Sequence, residues 1–501
     1  MKSFSFFIMS LILAGIILTN CFAQDLPFPG QEDVKALKSG QFKCNRVAFN
    51  WNGQDFETDF IIFAVPENRN NKSSRLINLP IIRIKSKAET PREPIFALGG
   101  GPGLPNITAS PHLWMLENHD LVMVGFRGVD GSVILDCFEV IEYLKNTPGN
   151  PLSKNYLNGF GQAYFKCYNS MTDSGIDING YNVVAVLDDI DQARQILGYE
   201  KINLFGISWG TRIGYLFGLR FPQSVKRAVL TGVNPPGHCY FDPATNDSLL
   251  AVWGELWKKD PICLNKSRDI LETIRNVMSN LPESWMGLPL IADQIRIGIF
   301  TSFYSINSAA QVFDAFIAAE NGDYSGIAYL SFSFEMIKQA PMNWGEAAAK
   351  AWSVDFDINR DYFNDSMPEG CLLGSPVSKF QWSILTPELW PMKLVEKEYR
   401  ELRCSDVETL LISGDLDICT PASSGEKLLR YLPNGHHVVL KNMGHLGDIF
   451  GLQPNAYQHL VKRFLLTGQV DDSMLEYQSI NFEPKQTYQD MAKSFINKIK
   501  D

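Results

Sequence analysis

Residues 201–221 read Lys-Ile-Asn-Leu-Phe, then Gly206-Ile207-Ser208-Trp209-Gly210, then a run dominated by Ile, Leu, Phe and Tyr. The first stretch suits a buried strand and the last a buried helix, so five residues must turn the chain from one into the other. A turn that tight crowds its own backbone, which is why glycine stands at both ends of it. It also lifts the Ser208 hydroxyl off the sheet, at a helix N-terminus whose backbone N–H groups favour developing negative charge. A bare G-x-S-x-G recurs by chance in many chains. With a strand entering and a helix leaving, it is a turn that presents a nucleophile.

The neighbouring segments fit the same architecture. Runs 46–51 and 58–65 form a hairpin around Gly53 and Asp55, and 79–84, 94–98, 121–125 and 225–230 are further strands. Between them, 183–197 places Val183, Val186, Leu187, Ile190, Ala193, Ile196 and Leu197 on one helix face. Strands alternating with helices make a mostly parallel sheet covered on both sides. After Pro235-Pro236-Gly237 the alternation stops: 249–257, 267–280, 309–319 and 344–351 read as helices joined by loops. Strands at 409–413 and 437–440 and helices at 425–431 and 456–466 then resume it. The expected division is an α/β core over 24–235 and 406–501, interrupted by a helical insertion over 236–405.

A serine hydroxyl needs a base, and the base needs an acid to orient it. Asp417 and His445 each lie just past the end of a strand, on the sheet edge where such groups converge. Asp415 competes for the acid's role, and His436 and His437 for the base's, but the two histidines begin a strand instead of ending one. Acyl transfer also requires N–H donors aimed at an oxyanion. The backbone of Trp209 supplies one, and the turn Gly99-Gly100-Gly101-Pro102-Gly103 the other, through Gly101 first and Gly100 second. A phosphate-binding loop does not fit that turn: no Lys-Ser/Thr pair follows, and Pro102 lacks an N–H. No CxxC or His-rich spacing points to zinc.

The N-terminus bears on the compartment. Lys2, an apolar run over 4–18 and then Thr19-Asn20-Cys21-Phe22-Ala23 have the layout of an export signal cleaved after Ala23. The run is short of the roughly 20 apolar residues that a membrane span needs. A second reading puts a lipid on Cys21, since Leu18-Thr19-Asn20-Cys21 loosely resembles a lipobox. No other stretch is long and apolar enough to span a bilayer. Nine cysteines become eight without Cys21, and an even count in an exported chain permits disulfides. The expected pairs are Cys137–Cys167, Cys239–Cys263 and Cys371–Cys404. The net charge of −10 argues against nucleic acid as a partner.

Taken in chain order, these motifs resemble the proline iminopeptidase and tripeptidyl aminopeptidase family of α/β-hydrolase serine peptidases. Gly100-Gly101-Pro102-Gly103 is similar to the family's oxyanion turn, and Arg127-Gly128-Val129-Asp130-Gly131-Ser132 to its RGxGxS segment. Asp188 through Gly198, then Asn203 to Thr211, resembles the stretch carrying the nucleophile. Gly414 to Pro421 resembles the acid loop, and Gly444-His445 the base. The family often has His where Gly99 stands, and Asp where Gly125 stands. The resemblance implies an α/β-hydrolase fold with a helical cap, a Ser208–Asp417–His445 triad and no metal or cofactor. It also implies an acid in the cap that reads a substrate amine, for which Asp355 and Asp357 are the candidates. The activity implied is an exported exopeptidase that releases one or a few residues from the N-terminus of short peptides. An esterase or non-peptide amidase using the same triad, and a catalytically silent binding protein, are the alternatives.

Overall fold

The structure, a computed structural model, describes residues 26–108 and 112–500; the export signal read at 1–23 and Cys21 lie outside them. Nine strands form its main sheet: β1 (Phe42–Trp51), β2 (Gln54–Pro66), β3 (Leu76–Ile84), β4 (Arg92–Leu98), β5 (His119–Val124), β6 (Ile202–Ile207), β7 (Val225–Thr231), β8 (Thr409–Gly414) and β9 (Gly435–Leu440). Their order is β1-β2-β3-β5-β4-β6-β7-β8-β9. β1, β2, β3 and β5 pair antiparallel in turn. Every pair from β5 across to β9 is parallel. The β1–β2 hairpin turns on Asn52 (φ 49) and Gly53 (φ 85), the left-handed pair that matches the twist of its strands.

The helices of seven residues or more are α1 (Phe138–Asn146), α2 (Lys154–Asp173), α3 (Val183–Ile196), α4 (Trp209–Arg220), α5 (Pro243–Lys258), α6 (Ile270–Ser279), α7 (Ala292–Ser302), α8 (Ile306–Glu320), α9 (Ser325–Ile337), α10 (Trp344–Asp355), α11 (Pro376–Trp382), α12 (Ala422–Leu429), α13 (Pro454–Thr467) and α14 (Tyr488–Lys500). Successive residues of a strand face opposite sides. Leu204 of β6 therefore packs with α3 and α4, while its neighbour Phe205 joins Leu460 and Phe464 of α13 on the other face. α3 starts on Asn182, whose side chain accepts the Ala185 N–H, and buries the face expected from its spacing: Val183, Val186, Leu187, Ile190 and Ala193.

Helices α5–α11 all fall between β7 and β8, and the one interruption by strands there is a two-residue-per-strand hairpin at Ser284–Trp285 and Leu288–Pro289. A second hydrophobic cluster, built on Trp253, Trp257, Ile274, Ile299 and Phe313, holds the first of these helices together. The chain's last segment departs from the expectation that 406–501 returns wholly to the core. Phe482 and Tyr488 bury in this second cluster, and the Tyr488 hydroxyl bonds Ser302 at 2.8 Å.

One expected disulfide forms and two do not. Cys137 and Cys167, 5.3 Å apart at Cα, tie the start of α1 to α2. Cys239 and Cys263 are free thiols in different packing units, Cys239 against the cluster under the sheet and Cys263 inside the second cluster. Cys371 and Cys404 are also free, the first half-buried and the second exposed.

Peptide mapping without reduction should recover one bridged pair, Cys137–Cys167, with Cys239, Cys263, Cys371 and Cys404 alkylated. Replacing the bridged pair with serine should cost about 3–4 kcal/mol in denaturant unfolding, from the chain entropy released over a separation of 30 residues.

Candidate active site

The elbow is built by crowding. A Cβ on Gly206 would lie 2.6 Å from the Gly210 carbonyl oxygen, and one on Gly210 would lie 2.0 Å from that of Leu98. Between them Ser208 is held at φ 50, ψ −120, a backbone that a residue with a side chain adopts only under constraint. Its N–H is tied to the Thr231 carbonyl at the end of β7, at 2.9 Å.

Asp417 and His445 arrive from adjacent strands. Gly414 of β8 stands in register with Leu440 of β9, so the loops that follow leave the sheet side by side. Asp417 is fully buried, and both its oxygens are occupied. Oδ1 accepts the N–H groups of Cys419 (2.8 Å) and Thr420 (2.9 Å); Oδ2 accepts the Thr420 hydroxyl (2.6 Å) and the imidazole of His445 at Nδ1 (2.7 Å). A carboxylate only accepts, so Nδ1 carries the proton, and in the neutral ring Nε2 presents a lone pair. The ring lies over Gly232, where a Cβ would come within 3.1 Å of Cε1. Ser208 and His445 are thus held against consecutive residues, the first bonded to the Thr231 carbonyl and the second resting on Gly232. Among the described residues no hydrogen bond joins the Ser208 hydroxyl to the imidazole, a looseness common in such sites without substrate.

Burial disfavours an imidazolium at His445, but the charge of Asp417 and its hydrogen bond prevail and hold the ring's pKa well above 6.5. Burial likewise works against the Asp417 carboxylate, and the imidazole and the Thr420 donors outweigh it to keep its pKa low. Each partner favours the charged form of the other.

The competing residues lie elsewhere. Asp415 pairs with Lys441 at 3.4 Å, His437 bonds Ser413 at 3.0 Å, and His436 packs edge-on to Phe464. Within the glycine turn, Gly100 lies beside Ser208: a Cβ added to it would stand 3.4 Å from Ser208 Cβ. The next peptide N–H, that of Gly101, and that of Trp209 make no hydrogen bond among the described residues. The turn is pinned at both ends: Gly99 donates to Asn106 Oδ1 at 2.7 Å, and Gly103 to Glu346 Oε2 at 2.6 Å.

Asp355 is a correction. Its carboxylate is 1% exposed and forms a bidentate pair with Arg212, at 2.8 and 2.9 Å. It also accepts the Gly237 and Cys239 N–H groups, so nothing remains for a substrate amine. Asp357 is exposed and bonded to Asn359. Among the described residues, no group of three or more His, Cys, Asp or Glu side chains gathers as a metal site.

Several supporting residues escaped the sequence reading. Thr420 grips the acid through its amide and its hydroxyl. The His445 N–H donates to the Tyr304 carbonyl at 2.7 Å, and Asp448 accepts from Gly444 and Ile306, both at 2.9 Å, so the insertion holds the histidine loop. Thr420, three residues past Asp417, and Asp448, one turn beyond His445, had local signals; Tyr304 had none.

A family model described as the alpha/beta hydrolase fold matches residues 148–262, and one described as TAP-like protein matches 378–476. The first span contains Ser208, and the second Asp417 and His445. This chain has the α/β-hydrolase fold. The tripeptidyl aminopeptidase of Streptomyces lividans is 23% identical to it over 425 residues, 74% of each chain. The proline iminopeptidase of Chitinophaga pinensis is 25% identical over 155 residues, 30% of this chain and 39% of that one. The serine protease Hip1 of Mycobacterium tuberculosis is 42% identical over 53 residues, 11% of this chain and 10% of that one. The family resemblance carried by the motifs holds, and the hydrolase is serine-peptidase-like. Among its described residues no helix is long and apolar enough to cross a membrane.

In the folded hydrolase the His445 ring should titrate with a midpoint well above 6.5, followed by NMR of its ring protons. Asp417→Asn should move that midpoint down. A wild-type midpoint at or below 6.5 would mean that burial outweighs the carboxylate at this ring.

Proposed function

We propose that this hydrolase is an exported serine exopeptidase that shortens small peptides from the N-terminus by acyl transfer. The observation that carries the reading is Ser208 on its constrained elbow, beside an imidazole whose Nδ1 is committed to a buried carboxylate. The Ser208 hydroxyl attacks the scissile carbonyl while His445 Nε2 takes its proton. The carbonyl oxygen becomes an oxyanion facing the N–H groups of Trp209 and Gly101. Collapse breaks the C–N bond, and the leaving amine takes the proton back from His445. Water, deprotonated by the same nitrogen, then releases the acyl group and restores the serine. Asp417 holds the tautomer and supports the imidazolium. Helices α5–α11 form the cap that limits substrate length. The peptidase names of the relatives favour an amide substrate, and the Cys137–Cys167 bridge suits an oxidising compartment.

Ser208→Ala should lower kcat on the order of 10⁴-fold or more with unchanged folding, and a phosphonate probe should label the wild type alone. Retained hydrolysis in that variant rules the scheme out. Peptides with a free N-terminus should be cleaved and their Nα-acetylated forms spared; the reverse preference, or a preference for short acyl esters, would assign a different substrate class.

Because the base must be neutral to accept a proton, activity should rise with pH on a limb whose midpoint lies above 6.5, the ordinary imidazole value. Asp417→Asn should shift that limb to lower pH and reduce kcat by about 10⁴-fold.

A further inference from the structure

The turn carrying Gly101 is gripped by a helix far away in sequence. α10 begins on Asn343, whose side chain accepts the Glu346 N–H at 2.8 Å. In an ordinary capping box the acid three residues in would reach back to the N–H of the capping residue. Here that reciprocal half is diverted. The Asn343 N–H donates to the Gly103 carbonyl at 2.9 Å, and Glu346 Oε2 accepts the Gly103 N–H at 2.6 Å. The peptide groups on both sides of Gly103 are thus built into the cap of α10. The fit is close: a Cβ on Gly103, which sits at φ +89, would meet the Asn343 carbonyl oxygen at 3.0 Å and Ala347 Cβ at 3.1 Å.

Glu346 has nothing left for a ligand. It is 1% exposed, and its Oε1 contacts the ammonium of Lys350, which has no exposed side-chain surface. Lys350 in turn reaches the Arg127 carbonyl at 3.3 Å. A buried carboxylate persists only when it is paired and hydrogen-bonded, and this one spends its second oxygen on a single glycine N–H in the turn beside the nucleophile.

We propose that Glu346 is a positioning residue for the oxyanion turn: by accepting the Gly103 N–H it fixes the Gly100–Gly101 peptide beside Ser208, and so makes turnover depend on α10. This rests on the acyl-transfer reading above. Misplacing a donor by about 1 Å costs on the order of 10²-fold in rate. The contribution falls on the tetrahedral state, in which the oxyanion exists, and spares ground-state binding.

The test separates the acceptor from the charge. Glu346→Leu with Lys350→Met removes the ion pair and the acceptor together; Glu346→Gln with Lys350→Met removes the charges and keeps an acceptor for Gly103. With melting temperatures near wild type, the leucine variant should lose about 10- to 100-fold in kcat with KM within about threefold. It should bind a peptide aldehyde, which adds to the serine as a tetrahedral adduct, more weakly by the same factor. The glutamine variant should keep kcat within about threefold of wild type. Full kcat and aldehyde affinity in the leucine variant overturn the proposal. If that variant does not fold, the glutamine variant decides: a 100-fold loss of kcat at unchanged melting temperature also overturns it. Ser208→Ala serves as the reference. Turnover surviving there removes the acyl-transfer reading itself, whereas turnover lost there but intact in the leucine variant removes only the role of Glu346.

Discussion

Gly210 approaches the end of β4 so closely that a methyl group on it would stand 2.0 Å from the Leu98 carbonyl oxygen. The first turn of α4 can lie there only because that residue has no side chain. The same approach brings the segment after Leu98 against Ser208, where Gly100 again offers bare backbone. Across the sheet edge, Gly232 clears the floor on which the imidazole rests. The site is assembled where side chains are missing, which leaves bare backbone around Ser208.

Around that centre the sheet and the inserted helices share their polar groups. Tyr304 and the N-terminus of α8 hold the histidine loop, Gly103 sits in the cap of α10, and Leu416 and Ile418 of the acid loop pack into the second hydrophobic cluster. Separating the layers would strand buried donors and acceptors, each at about 1–3 kcal/mol. The RG segment plays a similar part on the other side. Arg127, without exposed surface, is bidentate to Asp189 at 2.6 and 2.7 Å and donates to the Glu67 and Gly180 carbonyls. It anchors the stretch whose Asp130 accepts the Asn106 N–H at 2.8 Å, and Asn106 in turn holds Gly99.

Much of this was legible in the residues because it is local. The strand–turn–helix around Ser208, the face of α3 and the strand ends carrying Asp417 and His445 each follow from periodicity and turn chemistry within a short window. α2 was passed over because aromatics carry its buried stripe, Tyr156, Phe160, Tyr164, Cys167 and Met171, among polar residues and two glycines. Asn343 and Glu346 have capping-box spacing, yet their partner Gly103 lies some 240 residues away, and no window sees that. The role expected of Asp355 fails for the same reason: its partner, Arg212, comes from the helix after Ser208, 143 residues away. Cysteine count could not tell bridged from free thiols, since that depends on which packing unit each side chain enters.

The order in which the chain supplies its parts bears on how the protein is made. Helices α5–α9 precede β8 and β9, whereas Phe482 and Tyr488, which fill their core, follow both. Until residues 480–490 are in place, Trp253, Trp257 and Phe313 lack the aromatic partner that closes their cluster. A nascent chain at that stage exposes an unfilled apolar cluster and is prone to aggregate. Residues 480–490 thus close the second cluster from the far end of the chain, after both strands whose loops carry Asp417 and His445.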